Sequence, residues 1–225
     1  MNFHVITVLP RLFPPYLGES VLGRGVSRGL IRVWVHDLRD FTQDKHHKVD
    51  DKPYGGGPGM VLGAEPLVGA LRRVLRGKNR KTTKVLITDP TGKQFDHRMA
   101  RHLACKYKDV IIIAGRYEGV DARVIGILKN GFGVRVEKVS AGPYVLTGGE
   151  LPALMIIDAV ARHTGGVLGK RESLEENRLG VGVPVYTRPE DVRFKGGTYR
   201  VPGVLLSGDH KQIVHWRRKN QKKSP

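Results

Sequence analysis

The chain predicts an α/β fold built on a mostly parallel sheet, and three observations carry that expectation. Residues 110–114 (VIIIA) form an unbroken, largely β-branched run, the mark of a strand covered on both faces. Short apolar runs at 3–9, 31–35 and 84–88 alternate with helical patterns at 60–75, 96–106 and a stretch ending near Arg162. Strands alternating with helices imply a parallel sheet with helices packed on it. Finally, turn-forming segments at 89–92, 115–119 and 140–149 stand at the ends of strands. In open parallel sheets, ligands bind beyond the carboxyl ends of the strands. The three loops are therefore expected to share one pocket.

Composition narrows the class of partner. In 225 residues, 39 Lys and Arg stand against 21 Asp and Glu, a net charge of +18. That excess exceeds what solubility needs and points to a polyanion, nucleic acid above all. No apolar run approaches the roughly 18 residues of a membrane span, and no signal peptide is read at the start. The single cysteine, Cys105, excludes an intrachain disulfide and a cysteine metal cluster, and is expected to be buried or half-buried. A cytoplasmic protein that meets nucleic acid, with no membrane partner, is the resulting expectation.

Taken in order, residues 3–9 (FHVITVL) read as a strand stopped by Pro10, and Phe13, Tyr16 and Leu17 have helical spacing after Pro14-Pro15. Residues 23–30 read as a turn-rich basic segment, and 31–35 (IRVWV) alternate as a strand. His36, His46 and His47 crowd among charges but match no standard metal-ligand spacing. Residues 50–60 (DDKPYGGGPGM) hold too much Gly and Pro for a regular element. They lack the Gly-Lys-Ser/Thr ending of a nucleotide-binding P-loop. A loop lying against a nucleobase or another strand fits them better. A helix is expected over 60–75, followed by a basic run of Arg72, Arg73, Arg76, Lys78, Arg80, Lys81 and Lys84. Such a run is either a solvated face or an RNA contact.

Residues 140–162 (SAGPYVLTGGELPALMIIDAVAR) join a glycine-rich loop to an apolar helix. Glycine lets a backbone approach a ligand closely, and Pro152 suits the first helical turn. Beyond Arg162 the composition changes. Residues 170–182 are charged and read as a linker between a catalytic domain at 1–169 and a small helical domain at 183–225. The tail from Asp209 reads as a basic amphipathic helix with Asp209 as N-cap and Ile213, Val214 and Trp216 as its buried side.

With these stretches in place, the chain resembles the bacterial tRNA (guanine-37-N1)-methyltransferases of the SPOUT class. DDKPYGGGPGM, AGRYEGVDARV, GPYVLTGGELPA, IDAVAR, GVLG, YTRPE, RVPGVLLSG and HWRRK follow the family order over nearly all of the chain. The resemblance implies a deep trefoil knot in the N-terminal domain and a homodimer with active sites at the subunit interface. It further implies S-adenosylmethionine as cofactor, a requirement for Mg²⁺, and tRNA as the substrate, methylated at N1 of guanine 37. By motif match the cofactor lies against Ile87, Thr88, Asp89, Pro90, Gly115, Ala141, Gly142, Pro143, Tyr144, Val145 and Leu146. The target guanine meets Glu118, with Gly56 and Gly57 nearby, and Arg162 stabilises charge developing on its O6.

Guanine N1 must lose a proton to become nucleophilic, so a general base is required. The family's proposed aspartate falls on Asn177 by ungapped counting. A slip of one residue gives Glu176, with Glu175 as the alternative. A second family aspartate is here Gly182, and the usual Gly-Asp-Tyr reads Gly142-Pro143-Tyr144. These departures leave a competing reading: a non-catalytic RNA-binding protein on a degenerate methyltransferase scaffold.

Overall fold

Five parallel strands frame the first of two units, Met1–Leu168 and Gly169–Pro225, into which the computed structural model divides. The structure describes residues 1–169 and 183–221. The expected linker at 170–182, with Glu175, Glu176, Asn177 and Gly182, lies outside the described residues.

In chain order the first unit comprises β1 (Asn2–Thr7), α1 (Pro14–Leu17), α2 (Ser20–Ser27), β2 (Arg32–Asp37), β3 (Asp50–Asp51) and β4 (Val61–Leu62). It continues with α3 (Ala64–Val74), β5 (Thr83–Gln94), α4 (His97–Lys106), β6 (Asp109–Ile113), α5 (Arg123–Gly126), β7 (Arg135–Ser140) and α6 (Glu150–Ala161). The main sheet has the order β2-β1-β6-β5-β7, with every pairing parallel. β6 is central, and all five of its residues are buried. Successive side chains point to opposite faces. Val110 and Ile112 thus join Phe3, Val5, Leu86 and the buried residues of α4 and α6 in one core. Ile111 and Ile113 join Ile6, Val85, Ile87 and the buried face of α3 in the other. The expected parallel sheet is present.

Several local expectations need correcting. Residues 23–30 were expected to turn, but 20–27 form α2, because the glycines there serve close packing. A Cβ on Gly23 would lie 2.2 Å from the Gly18 carbonyl oxygen, and Gly25 packs against Ile31 and Val167. The helix expected from Met60 begins only at Ala64, since Val61 and Leu62 pair antiparallel with Asp51 and Asp50. Asp89–Gly92 does not end its strand. β5 runs on to Gln94, and both Thr88 and Lys93 oppose Val139 across a register shift. Gly92 permits that excursion, for a Cβ on it would stand 2.4 Å from the Val139 amide nitrogen. Cys105 is exposed rather than buried, because α4 turns Ala100 and Leu103 inward instead.

The second unit is not purely helical. It holds an antiparallel hairpin of β8 (Asp191–Phe194) and β9 (Gly197–Arg200), then α7 (Gly203–Leu206) and α8 (His210–Lys219). Lys195 and Gly196 both take positive φ, the geometry of a tight hairpin turn. The Asp209 carboxylate caps α8 by accepting from the Lys211 and Gln212 amides. Ile213, Val214 and Trp216 are half-buried rather than buried, with Trp216 edge-on to Tyr186 at 6.2 Å. Among the described residues no helix is long and apolar enough to cross a membrane.

Candidate active site

Thr88 of β5 and the loops following β6 and β7 are stitched together by the Thr88 hydroxyl and by backbone groups. The Thr88 hydroxyl donates to the Ile113 carbonyl at 3.2 Å and accepts from the Gly115 amide at 2.9 Å. The Gly115 carbonyl in turn accepts from the Gly149 amide at 2.7 Å, and Arg116 bridges to Gly148 in antiparallel fashion. No side chain fits between these segments. A Cβ on Gly115 would lie 2.6 Å from the Thr88 carbonyl oxygen, and one on Gly149 would lie 1.8 Å from the Thr88 hydroxyl. Ile87, Thr88, Gly115 and the end of the 140–149 loop thus meet at the carboxyl edge of the sheet.

Ala141 to Leu146 form the outer wall. The Ser140 hydroxyl donates to the Gly142 carbonyl at 2.8 Å, and the Tyr144 hydroxyl donates to Ala141 at 3.4 Å. The Tyr144 ring folds back over Gly142, where a Cβ would fall 2.5 Å from it. Tyr144, Val145 and Leu146 are exposed and Pro143 lies beside them. They present an apolar rim next to a floor made of backbone. Pro90 is exposed as well, whereas Asp89 is anchored by Lys138 at 2.7 Å and by the Thr91 hydroxyl at 2.6 Å. Burial pushes the Asp89 carboxyl up, but the Lys138 and Thr91 hydrogen bonds outweigh it and leave the carboxyl below its ordinary range.

The 115–121 loop is tied on its other side to the glycine-rich segment. The Glu118 amide donates to the Met60 carbonyl, the Leu62 amide to Gly119 and the Asp121 amide to Leu62, each at 3.0 Å. The Glu118 side chain lies across Gly59, with Oε1 2.4 Å from where a Cβ would be. Gly56 and Gly57 stand apart from this contact in open space, with φ of 80° and 120°. Tyr117 holds a left-handed backbone with φ 57°, which a bulky side chain rarely adopts. Burial, followed by the adjacent Asp50 carboxylate, raises its phenol pKa.

The pattern of residues and the whole-chain likeness now agree. The model of the tRNA (guanine-1)-methyltransferase TrmD family matches residues 1–224. The chain belongs to this family. Similar proteins named tRNA (guanine-N(1)-)-methyltransferase include that of Clostridioides difficile, 42% identical over 221 residues, 97% of this chain and 91% of that protein. The Geobacter sulfurreducens protein is 44% identical, covering 97% and 85% of the two chains. The Thermomicrobium roseum protein is 46% identical, covering 97% and 78%.

Within this TrmD-family chain, sequence reasoning overlooked the residues that hold the loops in place. Glu150 opens α6 and is 2% exposed. Its carboxylate accepts from Arg116 Nε at 3.2 Å through both oxygens, and Oε1 also accepts from the Thr7 hydroxyl at 2.9 Å. The positive end of the helix dipole favours a carboxylate there. An acidic residue in a first helical turn is too common a pattern to flag this role; the glycine pair just before it was the available signal. Arg162 sits apart from the loops. It caps the far end of α6, its amide donating to the Asp158 carbonyl at 3.1 Å. Twelve residues at about 1.5 Å each put roughly 18 Å of helix between Arg162 and Glu150. One chain alone does not unite the predicted cofactor loops with the predicted catalytic arginine.

Proposed function

We propose that the protein transfers a methyl group from S-adenosylmethionine to N1 of guanine 37 in tRNA, beside the anticodon. The observation that carries this reading is the meeting of Thr88, Gly115 and Gly149 at the carboxyl edge of the sheet, with Tyr144, Val145 and Leu146 as an exposed apolar rim beside them. The glycines let these segments close on one another, and the exposed rim beside them suits a purine face. A deep trefoil knot, as in the SPOUT class, accords with family membership and with loops packed so closely that no Cβ is tolerated.

The bound sulfonium supplies an electrophilic methyl group. The chain's own work is to align the acceptor, take its proton and stabilise the charge that results. Glu118, whose side chain lies over Gly59, is the group proposed to hold the guanine edge. Arg162 would offset charge developing on O6, and Glu176 is the proposed base, taking the N1 proton. Among the described residues no three His, Cys, Asp or Glu side chains are grouped to hold a metal ion, so no step is drawn through Mg²⁺.

The same geometry supports a homodimer. Leu151, Met155, Asp158 and Arg162 recur at helical spacing along one stripe of α6, and Leu151 and Met155 are 61% and 45% exposed. Two copies pairing these stripes in antiparallel fashion would set Arg162 of one against the Gly149 end of the other. A two-fold axis makes such a contact self-complementary. The site is then composite, formed by loops from one copy and the arginine from the second, and the enzyme acts in the cytoplasm on tRNA.

The deciding experiment incubates purified protein with S-adenosylmethionine, Mg²⁺ and a tRNA transcript carrying guanines at positions 36 and 37. Nucleoside mass spectrometry is expected to find 1-methylguanosine at 37. Cofactor and tRNA binding without product would instead support a non-catalytic RNA-binding protein.

A further inference from the structure

At the other end of the sheet, α3 and the chain that follows it enclose a groove of about 880 Å³ whose walls carry Arg72, Arg73, Arg76, Arg80, Phe41 and Phe132. We propose that this groove binds the phosphodiester backbone of tRNA at a point remote from the methylated nucleotide. The inference rests on the reading of the protein as a tRNA methyltransferase and adds a second RNA contact to it.

Its construction argues against an idle basic surface. Arginines in a last helical turn do complement the helix dipole, which accounts for one or two of them. Arg72 and Arg76, however, both line the groove, and Arg76 stands two residues beyond the end of α3 at Val74. Among the described residues, neither they nor Arg73 form an ion pair or hydrogen bond through the side chain. Arg80 is fixed in place by donating to the carbonyls of Phe132, Leu75 and Lys78 at 3.1, 2.6 and 3.0 Å. Those bonds engage Nε and Nη1 and leave the positive charge without a carboxylate. Four guanidinium groups therefore converge with no anion of the chain between them. Local rules broken in this way are expected at binding sites.

The occupant is set by charge and shape. Planar guanidinium forks match phosphate oxygens, and the two phenylalanines supply apolar surface for a ribose or base beside them. Gly69 lets α3 approach the 38–41 turn closely, with a Cβ position 3.2 Å from the Phe41 carbonyl oxygen. Arg80 precedes β5 and Phe132 precedes β7, so this part of the groove lies at the amino ends of strands whose carboxyl ends carry the cofactor loops. From Thr83 to Thr88 is five residues of β5, about 17 Å.

The test uses the full chain with Arg72→Gln and Arg76→Gln together, two exposed positions whose change leaves the core intact. Affinity for the tRNA transcript, measured over a range of salt, is expected to fall about tenfold, with the slope of log K against log salt reduced by about 1 to 2. The KM for tRNA rises with it, while kcat and calorimetric S-adenosylmethionine binding stay within about twofold. Unchanged tRNA affinity and slope in the double variant, where the wild-type protein methylates normally, would overturn this inference alone. Wild-type protein that neither binds nor methylates tRNA would overturn the underlying reading. A parallel titration with inorganic phosphate separates the two sources of the ligand. Phosphate binding lost in the variant while tRNA affinity holds would make the groove a small-anion site and also refute the proposal.

Discussion

Gly149 sits directly against Gly115, its amide donating to the Gly115 carbonyl at 2.7 Å, in a space that no side chain could share. Its φ is −88°, so the backbone conformation itself would accept alanine. What forbids a Cβ is space: the Thr88 hydroxyl, the Gly115 nitrogen and the Ala114 Cα would lie 1.8, 2.7 and 3.0 Å away.

Gly149→Ala is therefore expected to force the three loops apart, at a cost of about 1–3 kcal/mol or more. For a chain of this size that lowers Tm by several degrees, about 2–4 °C per kcal/mol. Cofactor affinity measured by calorimetry should drop at least about tenfold. Gly126→Ala is the control, since a Cβ there meets nothing within 4 Å and the φ is −61° in a helix. It should be neutral or stabilising by about 0.5–1 kcal/mol. Equal effects at both positions would show that close packing at Gly149 is not what shapes the cleft.

The buried Glu150 carboxylate pairs with Arg116, whose side chain is 23% exposed, and so holds the 115–119 loop against α6. Removing one partner of a fully buried pair costs about 3–5 kcal/mol, and the partial exposure of Arg116 puts the cost here below that. Glu150→Gln and Arg116→Gln are each expected to destabilise in urea unfolding. The double variant should lose less than the sum, by more than about 1 kcal/mol of coupling. Strict additivity would mean the two side chains act independently.

Much of the frame was legible from sequence for a simple physical reason. Burial on both faces writes itself as a run such as VIIIA, and the parallel order brings Thr88, Gly115 and the 140–149 loop to one edge, although 89–92 stays inside β5. Close backbone packing leaves a more ambiguous signature. Gly23 and Gly25 look like turn residues, yet they lie in α2 because neighbouring main chain leaves no room or Ile31 packs there. The hairpin of β8 and β9 was hidden because neither strand buries a residue, so no apolar alternation marks it. Among site residues, motif order located the loops. The distance from Gly149 to Arg162 along α6 was also readable, but its consequence for a two-chain site needs the exposed stripe to be seen.

His4 gives the fold an acid-sensitive point. It stacks on Trp34 at 4.6 Å, shares a 3.1 Å contact between its Nδ1 and His36 Nε2, and has a buried Nε2 without a hydrogen-bond partner. Burial first, then the Lys78 and His36 charges, lower its pKa from 6.5 to about 3, against a small opposing effect of Asp109. Lys78 is itself paired with Asp109 at 2.6 Å. The unfolded chain thus binds a proton near pH 6.5 that the folded chain refuses. The neutral-His4 contribution is complete above pH 6.5 and is lost as pH falls toward 3, by up to about 1.4 kcal/mol per pH unit. His4→Gln should flatten the fall in urea stability between pH 6.5 and 4.5. A variant with the wild-type slope would assign the acid sensitivity elsewhere.

The α6 stripe makes a prediction that a single-chain site cannot satisfy. If Arg162 serves the loops of a second copy, Arg162→Ala and Glu118→Gln inactivate complementary halves of the site. Each variant alone should be nearly inactive. After subunit exchange in a one-to-one mixture, half of the dimers pair the two variants, and each such dimer holds one intact site. Methyl transfer should then recover to roughly a quarter of wild type. Arg162 acting within its own chain gives no recovery, because every site would then carry one lesion or the other. Leu151→Glu with Met155→Glu supplies an independent readout. Placing two carboxylates on the exposed stripe should yield a monomer in sedimentation and abolish the recovery, since unpaired charge buried in the contact costs several kcal/mol. A wild-type protein that sediments as a monomer, or a double variant that remains dimeric, would rule out the α6 pairing.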